Sequence, residues 1–211
     1  MDMPTIQTED VHSRAAADAL LAAAGEGHEA EVAALLKRGV PVDVTDGQGY
    51  TPLLLATARN RAEVARLLVA AGADVNRQNR IHDSAYLLAG AAGHLEILQL
   101  TLAHGADLRS TNRYGGTALI PACERGHVEV VATLLKAGVD PDHVNKLGWT
   151  GLLEAILLSD GGPHHQAIVK QLIEAGADLN LADNDGVTPL QHARQRNQTT
   201  IARMLEVAGA H

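Results

Sequence analysis

A step of thirty-three residues constrains this chain more than any other feature. Thr117 follows Ser84 by that step, Ser84 follows Thr51, and Thr150 follows Thr117. Gly39, Gly72, Gly105 and Gly138 recur in the same phase. A period of this length marks supersecondary units that cannot bury their apolar faces alone and must stack on one another. The stretch Asn112 to Val144, NRYGGTALIPACERGHVEVVATLLKAGVDPDHV, is one such unit. Thr117 is expected to open its first helix, Gly126-His127 to break it, Val128 to Leu135 to form the second helix, and Gly138 to end it. The same phasing divides the chain into six units: 14–45, 46–78, 79–111, 112–144, 145–182 and 183–211. The fifth carries five extra residues around Ser159 to Gln166, read as a longer link between its helices. Residues 1–13 read as a polar, flexible lead.

Local chemistry supports this division. Thr51 and Thr188 are placed to cap helix N-termini, and the prolines that follow them fall in the first turn, where no N–H is needed. Val64, Leu67 and Leu68 have helical spacing. Gly72 is placed to end a helix. Pro121 falls inside a first helix and is expected to cost a backbone hydrogen bond. The end units read as solvated caps, with Glu26, Glu29 and Glu31 on the first and Gln191, Arg194, Gln195, Arg196 and Gln198 on the last.

Composition narrows function. Aromatic residues are 2% of the chain and Phe is absent, so the core must come from Ala, Leu and Val in closely stacked helices. A net charge of −8 argues against a nucleic-acid surface. One cysteine, Cys123, has no internal partner for a disulfide, which fits a reducing compartment. The N-terminal stretch is acidic and lacks the basic region of a signal peptide, and no run is apolar enough to span a membrane. The expectation is a cytoplasmic protein.

Several of these motifs resemble a known family. The Gly-x-Thr-Pro-Leu start, the Gly-His break and the Gly-Ala-Asp-x-Asn end resemble the ankyrin repeat, from about Arg14 to the end of the chain. The runs GGTALIPACERGH and GWTGLLEAILLSDGG resemble small bacterial ankyrin repeat proteins. The resemblance implies an all-α solenoid of helix-turn-helix units joined by extended loop fingers. It also implies a groove, lined by finger tips and first helices, that takes a protein or peptide partner. The family often places His three residues after the Thr, where it braces neighbouring loops. Leu54, Leu87, Ile120 and Leu153 stand there in this chain, so packing is expected to replace that brace.

Phase then selects candidate contacts. Tyr50, Arg113, Tyr114 and Trp149 fall on the fingers, and Glu124, Arg125 and Glu154 on first helices. Aromatic residues and Arg are enriched among binding hot spots; Tyr86 instead takes a core position. Tyr50 and Trp149 could equally do no more than cover the neighbouring loop. Arg113, Glu124, Arg125 and Glu154 form a charged patch suited to a partner's charged side chain, or a set of weak surface ion pairs. A competing reading is a small-ligand or enzyme-associated pocket of Trp149, Glu154 and Glu124, since two carboxylates beside an aromatic suit acid–base work. A closed pocket with a raised Glu154 pKa favours that reading, and an open groove favours a protein partner. Self-association through an end unit is a third reading; a monomer is the expectation.

No cofactor is expected. Asp160, His164 and His165 lack a spaced further ligand for a metal. His28, His94 and His127 read as turn residues, and Cys123 as a small packed one. His28-Glu29 lacks the second histidine of a zinc-protease helix, because Val32 stands there. Phosphate-loop and nucleophile-elbow motifs are absent, so no enzyme is expected.

Overall fold

The structure, a computed structural model, describes the backbone of residues 6–211 and the side chains of 13–211. The expected lead at 1–13 thus falls partly outside the described residues; from Ile6 onward the chain is already helical. Twelve helices follow in six pairs: α1 (Ile6–Glu26) with α2 (Glu29–Lys37), α3 (Pro52–Ala58) with α4 (Ala62–Ala70), α5 (Ala85–Ala92) with α6 (Leu95–Ala103), α7 (Leu119–Glu124) with α8 (Val128–Ala137), α9 (Gly151–Leu157) with α10 (Pro163–Glu174), and α11 (Pro189–Gln195) with α12 (Thr199–Val207). No strand occurs among the described residues. First helices pack on first helices in chain order, and second helices on second helices, which gives two helical layers with the core between them.

The short first helices depend on their caps. The hydroxyls of Thr51, Ser84, Thr150 and Thr188 accept from the amides of Leu54, Leu87, Leu153 and Gln191. Thr188 and Gln191 complete a reciprocal capping box. Second helices end where a left-handed residue is required; Gly138, at φ +95°, closes α8.

The fourth pair departs from the pattern, and Pro121 is the reason. In the other described finger-to-helix junctions the fourth residue after the cap donates to the cap carbonyl, as Leu55 does to Thr51 and Glu154 to Thr150, both at 3.0 Å. Pro121 has no N–H to give. The Thr117 carbonyl instead accepts from Ile120 at 3.3 Å, and α7 starts at Leu119. Thr117 therefore does not open the helix, and its buried hydroxyl has no hydrogen-bond partner.

The small residues allow close stacking. A Cβ on Gly90 would meet the Ala118 Cβ at 2.9 Å, and one on Gly151 would meet the Cys123 Sγ at 3.0 Å. Cys123 is fully buried, and burial pushes its thiol pKa up, so it is packing rather than a nucleophile. Tyr86 is fully buried, as its core phase predicts. His127 lies over Gly93 and His165 over Gly126, so a turn glycine of one pair is covered by a residue of the next.

Two expectations need correction. The extra residues of the fifth pair do not simply lengthen a loop, because Pro163 to Gln166 form an added turn at the start of α10. That segment is held from both sides. His165 Nε2 donates to the Glu124 carbonyl at 2.8 Å, and Gln198 Nε2 to the carbonyls of Ile156 and Ser159. Gln198 is consequently buried and is no solvated cap residue.

Candidate partner-binding site

Each finger is closed by one residue six or seven positions before the helix that follows. Asp46, Asn79, Asn112, Asn145 and Asp183 each accept two backbone amides through Oδ1; for Asn145 these are Leu147 at 2.9 Å and Trp149 at 3.1 Å. Such side-chain acceptors hold a tight turn without a sheet around it.

Neighbouring fingers are tied at their tips. The Arg80 amide donates to the Gln48 carbonyl at 3.1 Å, the Lys146 amide to that of Tyr114 at 2.9 Å, and Asn184 Nδ2 to that of Leu147 at 3.2 Å. They are also tied at their bases, where Asp43, Asn76, Asp142 and Asn180 accept the amides of Asp74, Asp107, Asp178 and His211. The brace expected from packing alone is thus a ladder of hydrogen bonds. Leu54, Leu87, Ile120 and Leu153 fill the buried space behind it. One tip rung is missing, because the Arg113 amide makes no bond to Ile81.

A recess of about 430 Å³ opens at this gap. The residue just before each cap explains it. That position holds Tyr50, Asp83, Gly116, Trp149 and Val187 along the stack. Large rings stand on either side, whereas Asp83 and Gly116 leave room. Ile81, Asp83, Arg113, Tyr114 and Leu147 line the recess from the fingers, and Ile120, Pro121, Glu124, Glu154 and Leu158 from the helices.

Glu154 is the buried charge at this site, with 6% of its surface exposed. Its Oε1 accepts from Asn145 Nδ2 at 2.7 Å. Burial, and next the charge of Glu124, raise its pKa to about 7, against the opposing Asn145 bond and Arg125 charge. Asp83 is also raised, chiefly by burial, with Arg113 opposing. Both arginines are engaged: Arg125 Nη1 donates to the Ala91 carbonyl at 2.7 Å, and the Arg113 guanidinium lies 4.8 Å from the Tyr114 ring centroid.

Five of the seven residues selected by phase therefore meet here: Arg113, Tyr114, Glu124, Arg125 and Glu154. Tyr50 and Trp149 do not; both are half-buried and stand outside the lining. The pocket imagined for Trp149, Glu154 and Glu124 exists for its two carboxylates alone. Asn145 escaped the sequence reading, although its recurrence with Asp46, Asn79, Asn112 and Asp183 was a visible signal. Among the described residues no three His, Cys, Asp or Glu side chains are grouped to hold a metal, and His165 is spent on a carbonyl. No described helix is long and apolar enough to cross a membrane.

Comparison with known proteins gives one answer throughout. The family described as ankyrin repeats (3 copies) matches residues 6–79, 82–181 and 137–210. A protein of Escherichia coli (strain K12), named as an ankyrin repeat protein, YahD, is 40% identical over 195 residues, which is 92% of this chain and 96% of that protein. An ankyrin repeat domain from Acinetobacter baumannii AYE superposes with a TM-score of 0.89 at 55% identity, covering 91% of this chain and 98% of that one. The ankyrin repeat domain of Bcl-3, a member of the IkappaB protein family, superposes with a TM-score of 0.82 at 30% identity, covering 92% and 86%.

Proposed function

The chain belongs to the ankyrin repeat family, whose repeats are generally protein–protein interaction modules, and on that premise we propose that it binds a segment of a partner protein at the recess on its finger face. One observation carries this reading. Of the six large hydrophobic side chains left exposed among the described residues, four border that recess: Ile81, Tyr114, Leu147 and Leu158. Clustered exposed apolar surface with a charged rim is the composition of a binding patch. Arg113, Glu124, Arg125 and Glu154 set its charge preference, and Tyr50 and Trp149 hold the flanking fingers in place. The working unit is one domain over residues 14–211, of six repeats, acting by recognition and without a cofactor. A buried, unpaired Cys123 fits a reducing compartment such as the cytoplasm.

A second reading has its own observation. The recess is partly enclosed and holds a carboxyl raised to about 7, which suits a small ligand handled by Glu154 and Glu124.

The test uses Gly116→Trp, which fills the recess with the residue standing at the corresponding position of the next repeat. A Cβ at Gly116 meets nothing closer than 3.5 Å, so the backbone accepts a side chain there. Immobilised wild type is expected to retain a partner from the native cell's extract. Gly116→Trp and the double variant Tyr114→Ala, Leu158→Ala are expected to lose it at unchanged helicity. Equal retention by all three sinks the reading. Thermal stabilisation by a protein-free ultrafiltrate, lost in Gly116→Trp, selects the small-ligand reading instead.

A further inference from the structure

The recess offers one carboxylate oxygen that the protein itself does not use. Glu154 is nearly fully buried; Asn145 Nδ2 donates to Oε1, while Oε2 has no hydrogen-bond partner in the protein and keeps access to the recess. A largely buried carboxylate with one protein donor relies on water at its other oxygen, and a cation that displaces that water makes a charge-assisted contact there. The fixed charges nearby favour a cation. Asp83 and Glu124 line the same recess, and the Glu124 charge acts on Glu154 more strongly than Arg125 does. Neither arginine supplies the missing partner, since Arg125 is turned to Ala91 and Arg113 lies on Tyr114.

We propose that the recess is a lysine subsite: a lysine of the partner segment sets its ammonium on Glu154 Oε2 and its methylene stem along Ile120, Pro121 and Leu158. This rests on the partner-segment reading above. Lysine is favoured over arginine by valence. A guanidinium is best held by both oxygens of a carboxylate at once, and Asn145 already takes part of Oε1, whereas an ammonium is a point charge that needs only Oε2. The residues flanking the lysine are apolar, because Ile81, Tyr114, Leu147 and Leu158 surround the mouth.

Binding then depends on pH. The groups that face Glu154 are Glu124 and Cys123 from α7, Arg125 from the turn after it, and Asn145 from its own finger. On α11, the helix packed against the other side of α9, His192 is tied to Asp183 at 2.7 Å. Lysine keeps its charge across neutrality while Glu154 gains a proton below about 7, so affinity rises as pH rises through that value.

The experiment compares five pools of capped, fluorescently labelled hexapeptides with leucine and tyrosine flanks. Their central residue is fixed as lysine, acetyl-lysine, arginine, glutamine or glutamate. At pH 8 the lysine pool is expected to bind wild type about tenfold or more tighter than the acetyl-lysine pool, the effect of one charge-assisted contact. Glu154→Gln, which keeps the Asn145 bond, is expected to abolish that preference, and acidification to pH 6 to weaken the lysine pool on wild type alone. A lysine preference that survives Glu154→Gln, or an arginine pool that equals the lysine pool, overturns the inference. Equal binding of all pools that is lost in Gly116→Trp overturns the lysine subsite and leaves the partner-segment reading standing. Pools that bind wild type no better than Gly116→Trp overturn both.

Discussion

The fifth and sixth helix pairs place different chemistry on the same frame. Nine residues separate Asn145 from Glu154, and nine separate Asp183 from His192. In each case a finger-closing side chain gives Oδ1 to two backbone amides and uses its remaining atom on the fourth residue after the cap: Asn145 Nδ2 on Glu154 Oε1, Asp183 Oδ2 with His192 Nε2, both at 2.7 Å. The electrostatics then diverge. Glu154 gains an amide donor but is buried beside Glu124, so its pKa rises. Asp183 accepts the Val187 amide and faces a histidine, so its pKa falls despite some burial. The repeat thus sets the distance, and the residue pair sets the sign of the charge effect.

The largest effect is expected for Asn145→Ala. It strips the acceptor from the Leu147 and Trp149 amides and the donor from Glu154 in a buried setting, at an expected cost of roughly 3 kcal/mol in chemical denaturation at pH 8. Glu154→Gln is expected to act with the opposite sign. The Glu154 pKa lies above its ordinary value of 4.5, so its contribution to stability is fully present below 4.5 and lost as pH rises through about 7. The variant is therefore expected to be more stable than wild type by roughly 2–3 kcal/mol at pH 8, with the gain gone at pH 4.5. Equal differences at both pH values would falsify the raised carboxyl. Asp183→Asn is expected to show the mirror image. The native contribution is present above the ordinary value of 3.8 and lost as pH falls through the lower folded value. A Tm loss of about 2 °C or less at pH 7 should vanish in strong acid. The smallest effect is expected at Arg109, which stands where Asp43, Asn76, Asp142 and Asn180 hold the finger bases. Arg109→Asn gives the Asp140 amide an acceptor and is expected to add about 0.5 kcal/mol.

The sequence made the stack legible because one period governs caps, turn glycines and core positions together. It also brought Arg113, Tyr114, Glu124, Arg125 and Glu154 onto one face, since phase alone decides which way a residue points. Trp149 and Tyr50, whose scarcity as aromatics suggested contact, stand outside the lining of the recess. The space they were expected to offer lies where the equivalent residues are small, at Asp83 and Gly116. The burial of Glu154 was not legible either. It arises when Asn145 reaches back across its own finger and the preceding pair closes over the carboxyl, and both depend on how neighbouring units stack. Pro121 was read correctly as a lost bond, but the consequence fell on Thr117, which lost its role as a cap.

The missing rung between Ile81 and Arg113 has a mechanical meaning. Hydrogen bonds join the finger tips at Gln48 and Arg80 into one block, and those at Tyr114, Lys146, Leu147 and Asn184 into another. Across the gap between them the fingers are tied near their bases, by Asn76 with Asp107 and Gln78 with Thr111, and not at their tips, and the recess is the angle the untied tips leave open. Whatever occupies it fixes the angle, so occupancy should register as slowed hydrogen exchange in fingers on both sides, including ones the occupant never touches.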